Sequence, residues 1–460
     1  MMNRYPLLLV ISFLSLLWVG CASRRQPAVT EEQTIQAEPS PQALDHFLRG
    51  VIYDQQGELT RAIAEYRRAL KFDSTSGSIY QALAEDYLAL RLPDDAISLL
   101  YTALKYDSLD VEVLQFLSDV LVQVGRLDSA ASLLDRLVRN HPDEPSYHLN
   151  LANVHLRANR VPEAIEQYRE ALELQPANRE ALGKLSTLLI SQGDYQNALD
   201  AAIRLYELSP NDDRVCFTVA SLLAELNRSA EADSFFAEAA ELNPDDPRYF
   251  TNWAYMHMNN REYDRAVEIL QKGTYYHATA PNIWALLGSA YQLSDQDSLA
   301  LEALDVSLEL DASQIGAYIT LGFIYDERGD WDKAIEVYDQ ALTISPDDAL
   351  LLNNYAYLLA QKGTRLEDAM SMVQKALEKS PDNPSYLDTY GWIYFVMGDY
   401  SKAMEYIQRA LELNPENPDI LDHIGDIYEK MGDYAKARDA WIKALEFDPE
   451  NIPIREKLAR

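Results

Sequence analysis

An all-α solenoid of helix–turn–helix units is the fold this sequence predicts. Three observations predict it: a residue pattern that recurs every 34 positions, a chain rich in Ala, Leu, Glu and Tyr, and only 17 glycines among 460 residues. The first residues stand apart from that pattern. Arg4 precedes an apolar run from Leu7 to Val19, and small residues follow, which is the layout of an export signal. As a helix the run would span about 20 Å, short of the roughly 30 Å hydrocarbon core, so residues 1–20 are expected to be a signal peptide.

Leu17-Trp18-Val19-Gly20-Cys21 resembles a bacterial lipobox, with Trp18 standing where that family prefers Leu. The resemblance implies that Cys21 is lipidated and becomes the new N-terminus; an uncleaved short anchor is the alternative. Cys216 is the only other cysteine and sits inside the repeats, so no disulfide framework is expected. Residues 21–42 then form the lipidated cysteine and a flexible tether, with three prolines and few large apolar side chains. Ala22 and Ser23, rather than Asp, follow Cys21, and by resemblance to diderm lipoproteins this implies the outer membrane.

The repeats occupy residues 43–451 as twelve units. One register holds only alanine: Ala62, Ala96, Ala130, Ala164, Ala198, Ala232, Ala266, Ala300, Ala334, Ala369, Ala403 and Ala437. The step from Ala334 to Ala369 is one residue longer than the others, and the turn Lys362-Gly363-Thr364-Arg365 accommodates it. A second register holds only small residues, among them Gly50, Ala84, Ser118, Gly322 and Gly425, which let two helices approach closely. A third carries prolines, from Pro142 to Pro449, where a helix must stop. Between these, Gly57, Gly125, Gly193, Gly329, Gly363, Gly398 and Gly432, with Asn159 and Asn227, mark the turn after the first helix of a unit.

Tyr318, Leu321, Gly322, Tyr325, Ala334, Tyr338, Ala341 and Pro346 in one unit, and Trp284, Leu287, Gly288, Tyr291 and Ala300 in another, resemble the tetratricopeptide (TPR) repeat pattern. That family implies a right-handed superhelix whose concave groove is lined by the first helix of each unit. Stacking is the physical basis, because one helix pair cannot bury both faces alone. Residues 452–460 are expected to cap the array, with Leu458 turned inward and Arg455, Lys457 and Arg460 outward.

The formal net charge of −33 argues against nucleic acid or an anionic membrane surface as the main partner. No phosphate loop, zinc-protease helix, nucleophile elbow or paired-cysteine motif occurs, so no catalytic residue, metal or cofactor is assigned. His148 and His155 stand seven residues apart, about 10 Å along a helix, too far to share an ion unaided. Cys216 reads as a small buried hydrophobe. Asp212-Asp213 and Asp245-Asp246 read as helix starts.

Partner-binding candidates come from first-helix positions that packing does not use. Asn150, Asn252 and Asn354 share a register, with Asn153 and Asn353 nearby, and Lys184, Thr218, Leu286 and Thr320 interrupt it. The row resembles the asparagine ladder of the TPR superhelix in O-linked GlcNAc transferases, which implies holding of an extended peptide backbone. Aromatic candidates are Tyr255, Phe323, Tyr357, Trp392 and Phe395. Basic candidates are Arg157, Lys184, Arg214 and Arg248, set against Asp419, Asp422, Asp426 and Glu429 in the last unit. The expected function is a non-enzymatic scaffold of the bacterial cell envelope, lipid-anchored and facing the periplasm, whose partners are other exported proteins or peptides. Binding of a polysaccharide or peptidoglycan strand, or service as a regulatory subunit of an envelope enzyme, are the alternatives.

Overall fold

The structure, a computed structural model, describes residues 40–459. Residues 1–20, Cys21 with the tether up to residue 39, and Arg460 lie outside the described residues. Every regular element among the described residues is a helix, and the chain divides into two compact units, Met1–Leu137 and Val138–Arg460.

In the first unit α1 (Pro41–Gln55) pairs with α2 (Leu59–Phe72) and α3 (Gly77–Ala89) with α4 (Pro93–Tyr106); α5 (Val111–Gln123) is followed by α6 (Leu127–Asn140), within which the division between the units falls. The second unit runs on through the pairs α7 (Pro145–Arg157) and α8 (Val161–Leu174), α9 (Arg179–Ser191) and α10 (Tyr195–Leu208), and α11 (Asp213–Glu225) and α12 (Ser229–Leu242). Next come α13 (Pro247–Asn259) and α14 (Tyr263–Tyr276), α15 (Pro281–Leu293) and α16 (Asp297–Leu310), and α17 (Ile315–Glu327) and α18 (Trp331–Ile344). Then follow α19 (Ala349–Lys362) and α20 (Leu366–Lys379), α21 (Pro384–Val396) and α22 (Tyr400–Leu413), α23 (Pro418–Lys430) and α24 (Tyr434–Phe447), and the single helix α25 (Ile452–Ala459). The fold is an all-α TPR solenoid.

Local chemistry sets the helix boundaries. Asp110, Asn178, Asp348 and Asn417 each accept a hydrogen bond from a backbone N–H in the first turn they precede. Asp212 does the same for Arg214 and Val215, while Asp213 accepts from the Tyr249 hydroxyl at 2.6 Å. Proline opens α7, α13, α21 and α23, where its missing N–H costs nothing. At the turn inside each pair one residue adopts the left-handed conformation, supplied by the seven turn glycines, by Asn159 and Asn227, and by Arg91, Arg261 and Asp295. The longer turn of α19 and α20 uses two such residues, Gly363 and Arg365.

Packing explains the alanine register and the small-residue register. All twelve repeat alanines are 0% exposed, so any larger side chain there would have no room. The small register faces the residue one turn and a helix later in its own pair. A Cβ on Gly50, Gly322 or Gly425 would overlap the ring of Tyr66, Tyr338 or Trp441. Each such ring, nearly or fully buried, contributes roughly 2 kcal/mol of apolar burial.

Within the second unit consecutive first helices touch from α11 through to α23, and second helices bridge to the next first helix, as α14 does to α15. The first helices are therefore the crowded row of the stack. At its end α25 takes the place of a further first helix. Leu458 packs against the last pair as expected, beside Ile454, which is 1% exposed, but the structure corrects the expectation for Lys457, which turns inward rather than outward. Its ammonium lies 2.7 Å from Asp422 Oδ1 and 2.7 Å from Asp426 Oδ1, and two carboxylates stacked on α23 supply the attraction.

Candidate partner-binding surface

Most of the candidate side chains fall at two places along the first helices, the sixth and the ninth residue; Arg214, Arg248, Asn353 and Phe395 lie elsewhere on them. Asn150, Lys184, Asn252 and Asn354 are sixth residues of α7, α9, α13 and α19, and the same place is held by His423 in α23 and Lys457 in α25. Asn153, Tyr255, Phe323, Tyr357 and Trp392 are ninth residues. Stacking brings the two places together. The sixth residue of one first helix meets the ninth residue of the first helix before it: Lys184 Nζ donates to Asn153 Oδ1 at 2.8 Å, the Thr320 and Ser289 hydroxyls are 2.9 Å apart, and the His423 ring stacks on Trp392 at 4.1 Å. Lys457 repeats the contact on Asp426. Much of the polar row thus joins one helix to the next.

Asn150, Asn153 and Lys184 line a cavity of about 150 Å³ with Tyr168 and Glu180. Lys184 lies 2.6 Å from Glu180 Oε1, and that hydrogen bond, chiefly, raises its pKa. The Asn153 oxygen also accepts from the Tyr168 hydroxyl at 2.7 Å, so both hydrogen bonds to it come from inside the protein. Arg214 is exposed. Arg248 is exposed too, but its guanidinium embraces the Asp246 carboxylate at 2.6–3.1 Å, so its charge is matched locally. Asn252 donates to the Arg248 carbonyl of its own helix at 2.9 Å.

Asn353 lies 5% exposed in the interior, with its Oδ1 lacking a hydrogen-bond partner, while Asn354 is half-buried beside it and accepts from its amide at 3.4 Å. A single step along the helix decides this, since the fifth position of α19 points into the stack and the sixth does not. The aromatic candidates separate as well. Tyr255 and Phe323 are 52% and 46% exposed, whereas Tyr357, Trp392 and Phe395 are half-buried. Trp392 is sandwiched, its ring 4.6 Å from Phe395 and 4.1 Å from His423, and Tyr357 stands 6.2 Å from the same histidine. Burial pushes the Tyr357 hydroxyl up to about 12.

His423 is the residue that sequence inspection passes over. Its Nδ1 lies 2.9 Å from Asp388 Oδ1, with both residues buried. Burial works against its charge, yet the carboxylates of Asp388, Asp422 and Asp426 outweigh it, and its pKa is raised. The signal available in the sequence was register: His423 occupies the same sixth position as Asn354 and Lys184. Asp419 and Asp426 are both held above the ordinary carboxylate range by burial, with Lys457 pulling Asp426 back.

Other chemistry is absorbed by the fold. His148 Nε2, Cys216 Sγ and Trp284 Nε1 occupy one register, and each reaches the carbonyl six residues earlier, of Pro142, Pro210 and Ala278 respectively, at 3.0, 3.8 and 2.9 Å. Burial pushes the Cys216 thiol up to about 12. Among the described residues no three His, Cys, Asp or Glu side chains lie close enough to hold a metal ion, and no helix is long and apolar enough to cross a membrane.

The chain is 25% identical over 268 residues to human protein O-mannosyl-transferase TMTC3, covering 57% of this chain and 29% of that protein. It is 27% identical over 124 residues to the TPR repeat-containing protein PA4667 of Pseudomonas aeruginosa, covering 27% of this chain and 21% of that protein. The chain thus spans less than a third of the length of either relative. Among solved structures, a chain of the APC/C hetero-tetramer Cut9-Hcn1 is similar over 92% of this chain and 96% of its own, with a TM-score of 0.45 and 15% identity. Three tetratricopeptide repeat models match residues 32–77 and 82–213, 189–251, and 312–446. On those matches the chain belongs to the tetratricopeptide repeat family.

Proposed function

We propose that this protein is a non-catalytic scaffold of the bacterial cell envelope that seats segments of other exported proteins against the row of first helices. The observation that carries the proposal is the ninth-position row of aromatic side chains. Phe323 is 46% exposed, and Tyr357 and Trp392 follow it at the same place in the next two first helices. An apolar ring held on a rigid helix and left in water is a contact anchor, because covering it releases area without costing much side-chain entropy. Protein binding is what the TPR fold supports; the envelope setting rests on the signal-like residues 1–20 and on the lipobox at Cys21. The lipid would hold the chain at the membrane and leave the repeats free in the periplasm, with Cys21→Ser as the variant that releases it.

The test is in-cell crosslinking of the intact protein followed by mass spectrometry, comparing the native chain with Phe323→Ser and with Phe323→Ser/Tyr357→Ala. A discrete set of exported proteins recovered with the native chain and lost with the variants, at unchanged helicity, supports the proposal. Recovery that is unchanged by both variants overturns it.

A further inference from the structure

The cavity between α11 and α13 differs in character from the rest of the surface. Its volume is about 290 Å³, near the lower end of the roughly 300–1,000 Å³ typical of small-molecule sites. Asn227, Asn252, Asn259 and Asn260 line it, together with Glu225 and the exposed ring of Tyr255, over a floor made by Phe236. Four amides surround one opening: Asn227 in the α11–α12 turn, Asn259 and Asn260 at the C-terminal end of α13, and Asn252 in mid-helix, where Asn is a few tenths of a kcal/mol less favourable than Ala.

Their hydrogen-bonding capacity is mostly unspent. Among the described residues, Asn260 donates one bond, to Ser229 Oγ at 2.9 Å, and Asn252 donates one, to the Arg248 carbonyl at 2.9 Å, which leaves both amide oxygens open. Asn227, Asn259 and Glu225 make no side-chain hydrogen bond among the described residues, although Asn227 also supplies the left-handed turn at φ 57°. The site therefore presents donors and acceptors side by side around an aromatic face.

We infer that this cavity is a binding site for a neutral saccharide. A pyranose ring offers hydroxyls that both donate and accept, and an amide is the side chain that answers both at once. Its C–H face is apolar and flat enough to lie on the Tyr255 ring. Glu225 is the only carboxylate among the lining residues and no Lys or Arg is present, so a phosphate or an acidic ligand would be repelled rather than held. An extended peptide held by its backbone would need amides at the same height on successive helices. The flanking sixth positions are Thr218 and Leu286, and the amides instead gather at the seam between two units, Asn227 from the α11–α12 turn and Asn252, Asn259 and Asn260 from α13 and its end. The inference is independent of the protein-binding surface, whose anchors are Phe323 and Tyr357.

The test uses the full chain and three neutral probes, maltotetraose, cellotetraose and chitotetraose, with binding read by titration calorimetry and by saturation transfer from protein to sugar. Saturable 1:1 binding of at least one probe is expected, weakened at least tenfold by Tyr255→Phe/Asn259→Ala and abolished by Tyr255→Ala, with helicity and Phe323-dependent crosslinks unchanged. No binding of any probe, or binding that Tyr255→Ala and Asn259→Ala leave intact, overturns it. So does capture of an unstructured peptide through these same residues without any sugar.

Discussion

The ring of Tyr338 occupies the space that a side chain on Gly322 would need: a Cβ there would overlap the ring carbons. Both lie in the α17–α18 pair, and Tyr338 is 4% exposed, so the ring cannot swing into solvent without emptying the core. Gly322→Ala is expected to destabilise the protein by about 1–3 kcal/mol, the usual cost of overpacking. The double variant Gly322→Ala/Tyr338→Leu should recover part of that loss. Chemical denaturation of the three chains measures it; equal stability of Gly322→Ala and the native chain would show that the ring is free to move.

Lys457 ties the terminal helix α25 to Asp422 and Asp426 across its own last pair. Removing the ammonium leaves two half-buried carboxylates facing each other, so Lys457→Ala should cost more than Lys457→Ala built on Asp426→Asn. A coupling of about 0.5–3 kcal/mol is expected from the double-mutant cycle. Hydrogen exchange of α25 is the local readout, and it should rise in Lys457→Ala.

The His423–Asp388 pair makes stability depend on pH. The folded pKa of the imidazole is raised above the ordinary value of 6.5 by Asp388, Asp422 and Asp426. Its contribution is therefore fully present below about 6.5 and disappears as pH rises through the higher folded value. Denaturation midpoints should fall between neutral and alkaline pH, and His423→Gln should flatten that part of the profile. A profile identical in native and variant chains would assign the dependence elsewhere.

Arg91, Arg261 and Asp295 hold the left-handed turn conformation that seven other units give to glycine, at φ of 61°, 62° and 59°. A side chain at that place costs roughly 1–2 kcal/mol. Arg91→Gly and Asp295→Gly should each stabilise the chain by up to about 1 kcal/mol, offset in part by the entropy glycine adds to the unfolded chain. Thermal melts of the single variants decide it.

Cys216 is 0% exposed and burial pushes its thiol up to about 12, so at pH 8 it is neutral and shielded. In a Cys21→Ser background, a thiol reagent should label it only after denaturant unfolds the repeats. Labelling of the native chain at the rate of a free thiol would contradict the packing described for α11.

The repeat was legible because packing repeats. The twelve alanines, the small register and the turn glycines are each dictated by contacts inside one helix pair, and those contacts recur every 34 residues, so they print a period into the sequence. Cys216 was readable as buried for the same reason, from the company of Tyr80, Trp284 and Tyr318 in its register. The candidate surface was legible only as a set of positions. Asn353 and Asn354 are neighbours in sequence and similar in chemistry, yet one is interior and the other half-open, because one residue is a turn of 100° on a helix.

What the sequence by itself determined is the unit: its helices, its turns, its core alanines and the stacking of like on like, all of which follow from short-range contacts between residues a fixed distance apart. What only the tertiary structure decided is which polar and aromatic side chains are spent within the stack and which remain available. Lys184 and Asn153, His423 and Trp392, and Lys457 and Asp426 consume one another across neighbouring helices, whereas Asn259, Tyr255 and Phe323 are left facing outward. The physical reason is that a hydrogen bond or ring contact between units depends on the distance and orientation of two separate helices, which no period along one chain specifies.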